Sequence, residues 1–183
     1  MARGRPSKKQ VILDAARQLF ATSGYQGTSI DLVVQTAGVS KPTVYNNFPT
    51  KQALLIALLE ELLEQAQGQR QVILDDDSLS LVAGMVAIFR QLAGVPEYLA
   101  VYRMCYGERH KLDEVTYQLC AGFDQALKDD CRSLLQKHGG EYQECVALVA
   151  IAICRESLLI PALSGGKATA EDVIEAALSR VLA

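Results

Sequence analysis

An all-α, two-domain chain of about nine helices is predicted by three features of the sequence. Apolar residues recur at helical spacing in one segment after another, and period-two alternation is absent from Leu79 onward. Glycine, proline and clusters of short polar residues punctuate those segments where helices would end. Half of the 183 residues are hydrophobic and only 6% are aromatic, which is ample for a buried core. The punctuation divides the chain into a head over residues 1–50, a linking helix over 51–74 and a helical body over 75–183. Asp75-Asp76-Asp77-Ser78 marks the boundary between the last two.

In the first helix, Ser7 is placed to cap the first turn. Val11, Ile12, Ala15, Ala16, Leu19 and Phe20 form one apolar stripe, and Gly24 ends it. Thr28-Ser29-Ile30-Asp31 has the form of a capping box. The short helix it opens turns Val33, Val34 and Ala37 one way and stops at Gly38, a residue suited to a left-handed cap. After this turn Ser40 caps a third helix, with Pro42 in its first turn, where a missing N–H is tolerated. Val44 and Phe48, four apart, point into a core. Pro42 and Asn46 then face outward, with Thr43 and Tyr45 on the shoulders and Lys41 and Lys51 beside them.

Helix, tight turn, helix with an outward amide-and-hydroxyl face is a helix-turn-helix whose second helix suits the major groove. Amides read base edges there, while lysines meet phosphate. Charge agrees. The chain as a whole is −3, yet residues 1–51 carry seven lysines and arginines against two aspartates. A +5 end on a −8 remainder orients the molecule toward phosphate. The basic arm with Arg3 and Arg5 is of the kind that enters a minor groove. The segment resembles the DNA-binding domain of the tetracycline-repressor (TetR) family. The resemblance is carried by Ile12-Leu-Asp-Ala-Ala, Leu19-Phe20, Gly24-Tyr25, Gly27-Thr28-Ser29-Ile30, Ala37-Gly38-Val39-Ser40-Lys41, Val44-Tyr45, Phe48 and Lys51, over about residues 8–60. Asn47 stands where the family often has histidine, and Pro42 where glycine is common; both bear on which operator is read. The expected DNA-binding set is Arg3, Arg5, Thr28, Ser40, Lys41, Pro42, Thr43, Tyr45, Asn46 and Lys51.

Thr50 opens the linking helix through Leu54, Leu55, Leu58, Leu62, Leu63 and Ala66. Helices are then expected over 79–92, 97–106 and 113–137. Their aromatics and cysteines suggest a mainly apolar ligand cavity lined by some of Phe89, Tyr102, Cys105, Tyr106, Tyr117, Cys120 and Phe123. A neutral or weakly polar effector follows, since an unpaired buried charge is costly. The helix over 141–159 is apolar on every side between Cys145 and Cys154, and a further capping box at Thr169–Asp172 opens a helix with one apolar stripe. Paired with their symmetry mates, these would make a dimer interface of Val146, Val149, Ile153, Val173, Ile174, Ala177, Leu178 and Val181. The resemblance implies the same arrangement.

No phosphate loop, nucleophile elbow or Cys-x-x-Cys is present, so neither an enzyme nor a cofactor or metal is expected. The five cysteines lack ligand spacing and read as reduced apolar residues, a redox or metal sensor being the sharper alternative. The longest uninterrupted apolar run, Val146–Cys154, is short of a membrane span, and the start lacks a signal-peptide pattern. The expectation is a cytoplasmic, homodimeric regulator of a palindromic operator. The resemblance implies a repressor released by a small molecule; a constitutive or partner-controlled DNA-binding protein is the other reading.

Overall fold

The computed structural model describes residues 7–139 and 143–182, which form nine helices and no strand. They are α1 (Lys8–Gly27), α2 (Ile30–Ala37), α3 (Lys41–Asn47), α4 (Lys51–Asp75), α5 (Leu81–Ala93), α6 (Pro96–Gly107), α7 (Glu114–Gly139), α8 (Glu144–Ser164) and α9 (Glu171–Val181). A 3₁₀ turn, Arg109–Lys111, precedes α7.

Start signals in the head work as read. The backbone N–H of Gln10 donates to Ser7 Oγ at 3.1 Å, and that of Thr43 to Ser40 Oγ at 3.3 Å. Gly38 takes φ 61°, the left-handed conformation that lets α2 end and α3 turn away. Gly24, at φ 69°, breaks α1 within its last turns rather than ending it. The cap of α2 is Ser29, whose Oγ accepts from Leu32 N–H at 3.1 Å. Ile12, Ala16, Val33 and Val44 are completely buried, and Phe48 nearly so. Burying such side chains stabilises by about 1.5–3 kcal/mol each for the larger ones, enough to hold three short helices together.

The chain forms two compact units. One comprises the chain to Leu62 with Ala100–Cys120; the other comprises Leu63–Leu99 with the chain from Ala121. Helices α4, α6 and α7 are long enough to contribute to both. In the first unit Gln52 Nε2 donates to Asp113 Oδ2 at 2.7 Å. Asp113 also caps α7, accepting from the Thr116 N–H at 3.0 Å and hydroxyl at 2.9 Å. In the second unit Arg70 meets Asp130, and Lys137 Nζ donates to the Leu74 carbonyl at 2.6 Å. The register rises along both helices, so these segments of α4 and α7 run parallel.

Helix α8 departs furthest from expectation. It continues beyond Leu159 as an α segment (Glu144–Cys154), a π turn (Arg155–Leu159) and a second α segment (Ile160–Ser164). Pro161 explains the irregularity. It has no N–H for the Ser157 carbonyl, which instead accepts from Thr169 N–H at 3.0 Å. That bond commits Thr169 to the preceding loop, so the expected capping box is not formed and α9 starts from Ala170 without a side-chain cap. At 21 residues α8 is long and apolar enough to cross a membrane by length and composition alone, while its longest uninterrupted apolar run remains Val146–Cys154. It nevertheless carries Arg155, whose Nη1 pairs with Asp124 at 2.7 Å.

Candidate nucleic-acid interface

Helix α3 presents its predicted face. Val44 is fully buried, while Lys41, Pro42, Tyr45 and Asn46 are exposed and Thr43 is half-buried. Ser40 Oγ and Thr43 Oγ1 lie 2.7 Å apart, so the two hydroxyls orient each other at the start of the helix. Asn47 Nδ2 donates back to the Thr43 carbonyl at 2.8 Å, which draws that amide onto the helix and leaves Asn46 as the outward one. Lys41 Nζ pairs with Asp31 at 2.7 Å, and this hydrogen bond raises the ammonium above the usual lysine value. Both partners are exposed, so the pair is weakly held and opens readily.

Lys51 is held differently. Its ammonium sits 4.2 Å above the centre of the Tyr25 ring, and partial burial lowers it below the ordinary lysine value while Glu108 opposes that shift. Burial and then the charge of Asp113 raise the Tyr25 hydroxyl. Glu108, with one buried carboxylate oxygen lacking a hydrogen-bond partner, acts electrostatically on the Lys51 ammonium. The sequence marks Glu108 only as part of a charged helix-end cluster, and its relation to Lys51, like the Gln52–Asp113 bond, was missed because partners about sixty residues apart leave no local signal.

Thr28 is a correction. It is 1% exposed and its hydroxyl donates to the Gly24 carbonyl at 2.9 Å, so it braces the break in α1 and presents nothing to DNA. Arg3 and Arg5 lie outside the described residues.

The proposed ligand-lining residues divide between the units. Phe89 and Phe123 are buried in the second unit, Phe123 with its ring 5.9 Å from that of Tyr98. In the first unit Tyr102 and Cys120 are buried and Cys105 and Tyr117 half-buried. Tyr106, 6.0 Å from Tyr102, is 55% exposed and is therefore a surface residue rather than a cavity wall. Burial pushes the Cys120 and Cys154 thiols up to about 12 and Cys131 still higher, which leaves them unreactive neutral thiols. No cluster of three metal-ligating side chains occurs among the described residues.

The apolar stripe of α8 is only partly covered. Ala147, Ala150, Ile151 and Cys154 face inward, whereas Leu148, Val149 and Ile160 are exposed. On α9, Val173 is exposed, but Ile174 and Leu178 are 1% and 0% exposed. Those two fill the chain's own core and leave the set offered to a partner. Val146, Ile153, Ala177 and Val181 are half-buried at the edge of the stripe.

Taken from the backbone up, the first three helices define a domain of the helix-turn-helix DNA-binding class. Residues 12–58 match the family described as bacterial regulatory proteins, tetR family. Within that segment the chain carries a TetR-type DNA-binding domain. Over 63 residues it is 40% identical to the HTH-type transcriptional regulator RutR of Escherichia coli K12, an alignment covering 34% of this chain and 30% of RutR. It is 41% identical over 71 residues to the regulator YvkB of Bacillus subtilis, covering 35% and 37%. The chain thus spans about a third of the length of these curated relatives. Its fold is similar throughout to that of a TetR regulator from Legionella pneumophila, at a TM-score of 0.74 and 17% identity, covering 98% of this chain and 97% of that one. The regulator FadR of Bacillus subtilis, solved with stearoyl-CoA, matches at 0.69 and 17%, covering 95% and 97%.

Proposed function

We propose that the protein is a homodimeric transcriptional repressor that leaves a palindromic operator when a mainly apolar small molecule binds. The observation carrying this reading is the α3 face: polar, exposed and braced by a buried Val44 in a TetR-type head. Pro42, Thr43 and Asn46 face the bases, Lys41, Lys51 and Tyr45 the backbone, and Ser40 holds the helix start. The basic arm with Arg3 and Arg5 adds minor-groove contacts. Residues 1–50 act as the reading head, 51–74 as the link and 75–183 as the regulatory and dimerising body, in the cytoplasm where the operator is. Leu148, Val149 and Ile160 of α8 with Val173 of α9 cover each other across a two-fold axis. A second copy suits this stripe better than lipid does, because Glu156 lies on the same exposed face. The effector lies against Phe89 and Phe123, and its binding alters the spacing of two recognition helices that must sit about one DNA turn apart.

The test is selection of bound sequences from random duplexes, followed by fluorescence anisotropy on the winner. A palindrome bound by a sedimenting dimer supports the reading. Equal affinity for winner and scrambled duplex defeats it.

A further inference from the structure

Among the described residues, the buried polar side chains are Thr28, Thr116 and Arg70, and only Arg70 belongs to the second unit. It is the largest fully buried side chain among the described residues. The same unit buries Phe89, Phe123, Leu127, Cys131 and Leu134. The position is no accident of a frayed end. Arg70 continues the buried row Leu58, Leu62, Ala66 along one face of α4, where the spacing calls for an apolar residue. An arginine set there carries a desolvation cost that needs a partner to offset it.

Asp130 on α7 supplies part of one. The Arg70 Nε–H donates to Asp130 Oδ2 at 2.5 Å, and the aspartate side chain keeps 22% of its surface in contact with solvent. The contact is through Nε rather than the two-bond fork that arginine and carboxylate ordinarily make. Nη2 is buried and has no acceptor. A buried guanidinium edge without an acceptor implies a missing group: water, an ion or part of a ligand. Water alone would satisfy the hydrogen bond but would leave unexplained why a fully buried cation stands in the apolar row of α4. A carboxylate matches both the planar donor geometry and the positive charge, which the partly solvated Asp130 neutralises only in part.

We propose that Arg70 is the residue that recognises the effector's head group, and that the effector is an amphipathic carboxylic acid whose carboxylate bonds the Nη2 edge while its apolar remainder lies among Phe89, Phe123 and their neighbours. This rests on the reading of the protein as a ligand-released repressor and replaces the expectation of a neutral effector. Asp130 is a positioning residue: it fixes the guanidinium through Nε and leaves the other edge facing inward.

The experiment is calorimetric titration of the full chain with straight-chain carboxylates from acetate to tetradecanoate, and with the matched primary alcohols. The wild type should bind one or more acids at least about 10-fold more tightly than the corresponding alcohols, the difference made by a charge-assisted hydrogen bond. Arg70→Met should weaken the acid by about 10- to 100-fold and leave the alcohol unchanged, with Arg70→Lys in between. Should Arg70→Met fail to fold, Arg70→Lys and the double change Arg70→Met with Asp130→Leu replace it, the latter exchanging the ion pair for apolar surface. Acids and alcohols bound alike, acid binding indifferent to Arg70, or no acid bound at all would each overturn the proposal. Operator binding by the unliganded wild type is measured in parallel. Intact DNA binding with no acid response defeats this inference alone. Arg70-dependent acid binding without an operator defeats the repressor reading instead.

Discussion

Two side chains on the reading head illustrate different kinds of contact. Asn46 projects from α3 with its amide outward, whereas Asn47 turns its amide back to the Thr43 carbonyl. Asn46→Ala should therefore relax discrimination at one base pair by about 1–3 kcal/mol, read as the affinity ratio between the operator and a singly altered duplex. Equal loss on every sequence would remove Asn46 from base reading. On the proposed reading Lys51 acts as a charge and not as a base reader, so Lys51→Ala should weaken operator and random DNA alike. The slope of log affinity against log salt should fall by about one. Because the ammonium rests over Tyr25 and near Glu108, some of its phosphate energy is spent leaving them, so the loss should be smaller than a free lysine's.

Helix packing gives a paired test on two glycines. Gly84 lies in α5, and a Cβ there would stand 2.7 Å from Leu134 Cδ2 on α7. Leu134 is itself 1% exposed and has little room to retreat. Gly84→Ala should thus lose more by overpacking, about 1–3 kcal/mol, than the about 1 kcal/mol that alanine gains in a helix interior. Gly68 sits on the exposed side of α4 with nothing within 4 Å of its added Cβ. Gly68→Ala should stabilise by about 0.5–1 kcal/mol. Urea midpoints moving in opposite directions for the two variants would verify the close approach of α5 and α7. Movement in the same direction would remove it.

At the scale of the molecule, the uncovered stripe of α8 predicts assembly. Val149→Asp places a charge on a surface 44% exposed in the single chain, so the subunit should stay folded by circular dichroism while sedimenting as a monomer. Leu178→Asp places it at a fully buried position and should unfold the subunit instead. A dimeric Val149→Asp variant would exclude this face. The buried thiols make a second global prediction. Cys120 and Cys154 are raised to about 12 from an ordinary 9.0, and Cys131 further. Between those values the unfolded chain has lost thiol protons that the folded chain retains, so stability falls as pH rises above 9. Each thiol adds a slope of about 1.4 kcal/mol per pH unit, and guanidinium midpoints from neutral to alkaline pH measure it. A flat profile would mean that these thiols ionise in place. The same burial argues against a sensor role for these three residues.

Local chemistry was sufficient for the head. Ser7, Ser40 and Gly38 act within three or four residues of themselves, so capping and the left-handed turn could be read in order, and Val44 with Phe48 declared the inner face of α3 by spacing alone. The helical class followed from the same short-range periodicity. What proximity in space decides was not legible. Thr28 reads as a cap and is a buried brace, while Ile174 and Leu178 read as interface and are core, because a stripe announces that a helix is covered without saying by what. Arg70 sits in an apolar row that could have singled it out, yet only the fold pairs it with Asp130, sixty residues away. The reach of α8 likewise depended on the Thr169 N–H finding the carbonyl that Pro161 leaves unpaired. Helix, turn and cap are settled by energies between chain neighbours; partner, burial and charge compensation are settled only when distant segments meet.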